Sequence, residues 1–179
     1  MDRLDLPFVV CAPSVDERIR AQGEAPDGYL DRIALAKLDA VRIQWVGDAA
    51  GVIVADTIVV SPGGTLLGKP ASVEEAAAMI AELSGATHEV RTRFVLAGLG
   101  RDAAAFRAQT VATRVTFRPT SAGERQRYAA SGEGLDKAGA YAIQGKAAAF
   151  IERIDGSYTN VVGLPLCEVF VSMREMGWV

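Results

Sequence analysis

The chain has 179 residues, half of them hydrophobic, so it is long enough to bury the core of one globular domain. Its net charge of -3 argues against a broad nucleic-acid-binding face, although a small anionic ligand needs only a few well-placed cations. No apolar run reaches the roughly 18 residues that a membrane span requires, and no signal-peptide pattern opens the chain, which predicts a soluble, cytoplasmic protein.

The first part of the chain predicts two strands, a helix and a hairpin. Leu6 to Cys11 is a short apolar strand candidate. From Tyr29 to Val41 apolar residues recur at helical spacing, which predicts an amphipathic helix. The β-branched run Val52 to Val54 predicts a strand buried on both faces, with Asp56 where this strand ends. The sequence PGGTLL at 62–67 predicts a tight turn and a returning hairpin strand.

The middle of the chain predicts a capped helix followed by a long hairpin. Ser72 and Glu75 form a capping-box pattern before an apolar helical stripe. The segments 88–99 and 106–117 are rich in Val, Thr and Phe, and a polar turn joins them, so they are expected to pair as an antiparallel hairpin. A second short helix is expected after Pro119.

The last part of the chain is dominated by a glycine-rich loop, SGEGLDKAGAYAIQGK at 131–146. Long loops inside compact domains are usually functional or disordered, and the apolar residues in this one favour an ordered loop. A strand is expected at 147–154, a glycine-punctuated loop at 155–163 and a final helix at 166–176. Strands that alternate with helices indicate an α/β fold with a mixed, partly antiparallel sheet flanked by helices.

The stretch from Asp56 to Lys69 carries the first chemical signal. GGTLLGK at 63–69 fits most of the phosphate-loop pattern, but Pro70 stands where that loop needs a hydroxyl and a helix start, so this interpretation is rejected. An acid at 56, a lysine at 69 and a loop carrying Lys137 and Gln144 are the residue types that hold phosphates, activate water and read a base edge. Spacing alone leaves scattered surface charge as the alternative.

Five blocks, in order, give a more specific signal: ADTIVV at 55–60, LGKP at 67–70, ELSGATHEVRT at 82–92, LDKAGAYAIQG at 135–145 and GSYTNVVGLPL at 156–166. Together they resemble the Maf family of nucleotide pyrophosphatases, which are linked to septum formation. The resemblance runs from about Phe8 to the chain end and implies a single domain over 1–179. It implies an elongated α/β fold related to inosine triphosphatase, with a cleft between two lobes. It also implies hydrolysis of nucleoside triphosphates to the monophosphate and pyrophosphate with a divalent metal, Mg or Mn.

The resemblance assigns roles to four charged residues. Asp56 matches the proton acceptor, and a fixed carboxylate there would orient water for attack on phosphorus. Lys69 matches a cleft lysine that neutralises phosphate charge. Glu17 matches an acid that binds metal, water or substrate, and Asp56 would share the metal. Lys37 matches a helix lysine that faces the phosphates. Taken by themselves, Glu17 and Lys37 are typical of solvated surface charges.

Two positions resemble family members that prefer dTTP and UTP. Thr57 lies in ADT and Gln144 in IQG, and both match the pyrimidine type. A glutamine amide offers a donor and an acceptor to a uracil or thymine edge, whereas the alternative is that Gln144 satisfies backbone groups of its own loop. Lys137, in the same loop, is assigned to the substrate as well.

The chain departs from the family pattern at its start, where members carry a segment reading approximately SxSPRR. Two alternatives follow: the sequence as given starts late, or the chain is a shortened member that lacks the first family strand and two arginines of the phosphate site. Each charge-assisted bond contributes about 1.5 to 3 kcal/mol, so weakened activity is expected. An uncovered sheet edge would suit a homodimer. Two hypotheses result: a pyrophosphatase acting on dTTP and UTP, or a catalytically impaired nucleotide-binding or regulatory protein linked to cell division.

Overall fold

The computed structural model describes residues 6–19, 24–44, 47, 49–99 and 103–179. Within these ranges lie five α-helices and five β-strands. The helices are α1 (Pro26–Gln44), α2 (Val73–Leu83), α3 (Ala122–Ala130), α4 (Tyr158–Val162) and α5 (Leu166–Glu175). The strands are β1 (Gly51–Val60), β2 (Leu66–Leu67), β3 (Thr87–Gly98), β4 (Phe106–Phe117) and β5 (Ile151–Asp155). Two short 3-10 helices, Ala138–Ala140 and Lys146–Phe150, lie between α3 and β5.

The predicted α/β class is confirmed, because the strands form one sheet in the order β2-β1-β3-β4-β5 with helices packed on it. All pairings between described strands are antiparallel, whereas a mixed sheet was predicted. The β1–β2 hairpin reverses the chain before α2. Strand β3, which follows α2, therefore runs antiparallel to β1. The predicted hairpin of β3 and β4 is confirmed, with Thr87 opposite Thr116 and Ala97 opposite Phe106.

Strand β1 is longer than predicted and passes through Asp56 without a break. The prediction that this residue ends a strand was therefore wrong. A carboxylate is a poor candidate for a strand interior unless a partner compensates its burial, and here the Lys37 ammonium does so at 2.6 Å. Because side chains alternate along a strand, Asp56 shares a face with Val54 and Ile58, the face on which α1 packs.

The predicted strand at 6–11 was also wrong, since residues 6–19 contain no regular secondary structure. Pro7 and Pro13 each remove a backbone donor that a ladder would need. Val9 and Val10 remain 72% and 77% exposed, as expected for a segment without a strand partner among the described residues. This irregular segment crosses α1 and carries Glu17 to the cavity described below.

The helix starts agree with the sequence patterns more closely than the loops do. Ser121 and Glu124 make a complete capping box at α3. Ser72 caps α2, although the Glu75 carboxylate accepts from the Ala71 amide instead of the Ser72 amide. The strand predicted from residue 147 begins only at 151, because the preceding residues form a 3-10 helix, and α4 lies inside the predicted loop 155–163.

The core consists of clusters on both faces of the sheet. One packs Ala34, Leu38 and Val41 of α1 against β1 and β3. The largest joins α2, α3 and the 135–145 loop to the sheet and includes Val59 and Phe117. The cavity lies beside β1 and β2. Over the described ranges, no helix has the length and apolar character needed to cross a membrane.

Candidate active site

A cavity of about 570 Å³ opens between α1, the β1–β2 hairpin, the start of α2 and the segment 15–19. Its volume is in the range of small-molecule sites. The lining includes Glu17, Tyr29, Asp56, Thr57 and Lys69. Charged groups from distant parts of the chain therefore meet in one concave space, which the sequence alone did not establish.

Four charged side chains form a continuous chain of ion pairs at this cavity. The Lys37 ammonium lies 2.6 Å from Oδ1 of Asp56 and 2.8 Å from Oε1 of Glu17. It also donates to the Ala55 carbonyl oxygen at 3.3 Å. The other Glu17 oxygen, Oε2, accepts from the Lys69 ammonium. The order is Asp56, Lys37, Glu17, Lys69, with alternating charge and a formal sum of zero.

Each member reaches the cluster from a different element. Lys37 projects from α1 beside the apolar stripe that packs on the sheet, and the stripe fixes the side of the helix it occupies. Asp56 lies in the middle of β1. Lys69 follows β2, which the tight turn at 61–65 folds back against β1. Glu17 comes from the irregular segment. The four predicted charged residues are therefore brought together, as the resemblance implied.

Burial and the ion-pair partners together set the pKa values of these groups. Asp56 is only 8% exposed, and burial raises the pKa of its carboxyl, an effect that Lys37 offsets only in part. Burial also acts to raise the pKa of Glu17, but hydrogen bonds from Lys37 and Lys69 outweigh it and the pKa is lowered. Burial acts to lower the pKa of Lys37, and the two carboxylates reverse this and raise it. Lys37 thus stays charged, while Asp56 has an increased affinity for a proton.

One oxygen of Asp56 stands apart from the ion pairs. Oδ2 is buried and has no hydrogen-bond partner among the described residues, whereas Oδ1 is held by Lys37. A buried polar atom without a partner is costly and calls for an explanation, such as a water or a ligand group that completes it. The arrangement suits a base whose one oxygen is fixed while the other is open to a proton.

Thr57 lines the same cavity, but its hydroxyl is directed elsewhere. Neighbouring residues of a strand point to opposite faces, so the Thr57 side chain leaves the sheet on the side opposite Asp56. Its hydroxyl lies 2.8 Å from that of Thr92, which donates to the Asn160 carbonyl oxygen at 2.9 Å. Because Thr92 has one proton to donate, Thr57 is the donor between the two hydroxyls. Its role in substrate choice stays a prediction.

The two predicted loop residues lie outside the cavity lining. Lys137 is half-buried and pairs with Asp136 at 2.6 Å, and Gln144 is exposed. Their loop is nevertheless tied to the site, because the Gly139 amide donates to the Gly68 carbonyl oxygen at 3.1 Å and Ala138 lines the cavity. Contact of Lys137 and Gln144 with a substrate stays a prediction.

The donor set at the cavity is compatible with one kind of metal. In the described part of the chain, no group of three or more His, Cys, Asp and Glu residues could hold an ion by itself. Mg²⁺ is usually bound by one or two carboxylates that share it with substrate phosphates and water. Glu17 and Asp56 fit that mode, since both reach the same ammonium and Asp56 has an oxygen without a partner.

Several residues of the site were not singled out from the sequence. Tyr29 is 4% exposed and lines the cavity, and its hydroxyl donates to the Glu17 carbonyl oxygen. Met79 and Glu75 of α2 also line the cavity. Tyr29 opens the predicted apolar stripe, eight residues before Lys37. Eight residues are close to two helical turns, so this spacing was the available signal that both lie on neighbouring parts of one helix face.

Comparisons with known proteins point to one family. A family model described as Maf-like protein matches residues 1–176. The dTTP/UTP pyrophosphatase of Myxococcus xanthus is 47% identical over 175 residues, which covers 98% of this chain and 85% of that protein. The proteins of the same name from Cupriavidus metallidurans and Hahella chejuensis are 48% and 44% identical, covering 87% and 97% of this chain and 76% and 84% of their own lengths.

Proposed function

Because this chain belongs to the Maf family, we propose that it is a pyrophosphatase that hydrolyses dTTP and UTP to the monophosphate and pyrophosphate. The observation that carries the proposal is the chain of ion pairs from Asp56 to Lys69, at a cavity of a size suited to a small molecule. The relatives named dTTP/UTP pyrophosphatase support the pyrimidine substrate class.

In the proposed reaction, a water oxygen attacks the α-phosphorus and the bond from that phosphorus to the bridging oxygen breaks. Pyrophosphate leaves with the electron pair of that bond. Asp56 takes the proton of the attacking water, for which its raised pKa and its second oxygen without a partner are suited. Lys37 keeps the Asp56 carboxylate in place through Oδ1 and, with Lys69, offers positive charge to the phosphate oxygens.

Charge balance supports a divalent metal in this reaction. Glu17 and Asp56 balance the two lysines, so the net charge of the four side chains is zero and does not offset the whole charge of a triphosphate. We propose that Mg²⁺ or Mn²⁺ enters with the nucleotide, held by Glu17 and Asp56. When bound, the ion would neutralise charge on the phosphates and on the departing pyrophosphate.

Base selection is proposed for Thr57 and the loop residues Gln144 and Lys137. Support for the loop comes from its attachment to the cavity wall through Gly139. An exposed glutamine amide can turn to a uracil or thymine edge without losing a buried hydrogen bond.

The net charge and the sheet edges bear on the partners of this protein. A net charge of -3 supports the proposal that no nucleic acid is bound, and we propose a cytoplasmic location and a link to septum formation. Strands β2 and β5 are the outer strands of the described sheet, and pairing of such an edge with a second copy is the proposed route to a homodimer. Gel filtration with light scattering tests this.

The test of the proposed function is a panel of dTTP, UTP, CTP, dATP and GTP with Mg²⁺, Mn²⁺ or a chelator. The expected result is turnover of dTTP and UTP, with monophosphate and pyrophosphate in equal amounts and loss of turnover in chelator. Nucleotide binding without turnover would favour the catalytically impaired alternative. Release of inorganic phosphate and the nucleoside diphosphate would contradict the proposed bond cleavage.

A further inference from the structure

The segment 6–19 has to hold Glu17 in a defined position, because its carboxylate pairs with both Lys37 and Lys69. Residues 6–19 contain no helix or strand, so no regular ladder of backbone hydrogen bonds fixes them. Contacts with other elements therefore hold this segment at the cavity.

Two side chains of α1 hold successive carbonyl groups of the segment. The Tyr29 hydroxyl donates to the Glu17 carbonyl oxygen at 3.0 Å. One turn further on, the Arg32 guanidinium donates through Nη2 to the Arg18 carbonyl oxygen at 3.1 Å. Residues three apart lie on the same side of a helix, so the two donors form one clamp across the backbone at 17–18.

Both donors are themselves fixed. The Tyr29 ring is 4% exposed and belongs to a buried cluster with Leu30, Ile33 and Ile58. The Arg32 guanidinium lies over that ring, 5.4 Å from its centroid, and is bound by Glu24 through Nε and Nη2 at 3.1 and 2.9 Å. Side chains locked in this way lose little conformational entropy when they hold a partner.

The clamp and one of the two lysines belong to the same helix. Lys37 lies eight residues after Tyr29, so α1 sets the distance between the Glu17 backbone and the Lys37 ammonium. We propose that the Tyr29 hydroxyl, with Arg32, is a positioning group that holds Glu17 for its work at the phosphates. The effect of the clamp on catalysis rests on the proposed function. The effect of the clamp on the position of the segment 6–19 depends only on the hydrogen bonds from Tyr29 and Arg32.

The reactivity of Cys11 reports on the position of the segment 6–19. Cys11 is half-buried on the same irregular segment and packs against the α1 cluster, whereas Cys167 is exposed on α5. In Tyr29→Phe the ring is kept and only the hydroxyl is removed, so release of the segment should make Cys11 react faster. Iodoacetamide labelling followed by mass spectrometry measures the two cysteines separately. Loss of one hydrogen bond corresponds to about threefold to tenfold faster labelling of Cys11, with Cys167 unchanged.

The kinetic part is a double-mutant cycle on UTP with Glu17→Gln. Tyr29→Phe should lower kcat/KM by about threefold to tenfold in the wild-type background. In the Glu17→Gln background it should have no further effect, because the hydroxyl acts through Glu17. Tyr158→Phe, which removes a hydroxyl from an exposed tyrosine of α4, is the matched control and should leave both readouts unchanged. Arg32→Lys, which loses the planar fork, should repeat the Tyr29→Phe result.

The outcomes separate this inference from the proposed function. An active wild type with unchanged labelling and kinetics in Tyr29→Phe contradicts the clamp and leaves the proposed function intact. Additive losses in the cycle contradict action through Glu17. If the wild type turns over no nucleotide, the proposed function fails, and the labelling of Cys11 still decides whether the clamp exists.

Discussion

The buried pair of His88 and Tyr141 makes a stability prediction that can be worked out from the structure. His88 is the only histidine of the chain, lies in β3 and is 2% exposed. Its Nε2 lies 2.8 Å from the Tyr141 hydroxyl, and the edge of Phe117 packs beside it. Tyr141 belongs to the 135–145 loop, so this contact fastens the loop to the sheet. Burial lowers the pKa of His88 from 6.5 to about 4.

Because the pKa of His88 is lower in the folded chain than in the unfolded chain, the free energy of unfolding depends on pH. Between about pH 6.5 and 4 the unfolded chain binds a proton at His88 and the folded chain does not, so the free energy of unfolding falls as the pH is lowered through this window. Relative to neutral pH, the loss amounts to about 2 kcal/mol at pH 5 and about 3 kcal/mol at pH 4. Above about pH 7.5 the imidazole is neutral in both states and contributes almost no slope.

The assay is urea unfolding of wild type and His88→Gln at pH 7.5, 6, 5 and 4. Glutamine cannot be protonated in this range, yet its amide can still meet the Tyr141 hydroxyl. Carboxylates such as Asp56 titrate in both proteins and cancel in the difference. The wild type should lose about 2 kcal/mol more than His88→Gln between pH 7.5 and 5. Parallel pH profiles for the two proteins would refute a buried, neutral His88.

Two further predictions concern charge and backbone. Lys37→Met removes the cation that pairs with Asp56, so the pKa of Asp56 should rise and the acidic limb of the kcat/KM profile against pH should move to higher pH. The plateau of kcat/KM should fall about a hundredfold or more. A pH profile that keeps its wild-type midpoint would contradict the ion pair. Gly139→Ala forces a side chain into φ +67, where its Cβ would lie 2.8 Å from Val59, and should lower stability by about 1 to 3 kcal/mol in urea unfolding. Gly28→Ala, at an open position of α1, is the control and should match or exceed wild-type stability.

The sequence predicted the elements that depend on short-range patterns. The α1 stripe and the β3–β4 hairpin both follow from spacings of a few residues, and both were confirmed. Asp56 was misplaced at a strand end because an acid interrupts an apolar run, and the compensating lysine lies 19 residues away along the chain. Local patterns carry no information about such a partner.

The candidate site was likewise predicted only in part from the sequence. Membership of the Maf family was recognisable from five blocks, and it identified the residues of the ion-pair cluster. The contact between Glu17 and Lys69 joins positions 52 residues apart through a segment without secondary structure, so neither periodicity nor turn chemistry could predict it. The orientation of Thr57 away from Asp56 follows from strand alternation, but only once β1 is known to be continuous.

The central claim is that Asp56 receives the proton of the water that attacks the triphosphate. The most direct test is kcat for UTP in Asp56→Asn, which keeps the size of the side chain and removes the base. Asp39→Asn, at an exposed position of the same helix as Lys37, is the matched control. The account predicts a loss of about 10² to 10⁴ in kcat for Asp56→Asn in a protein that still folds, and little change for Asp39→Asn. An Asp56→Asn protein that folds and keeps the wild-type kcat would contradict the account.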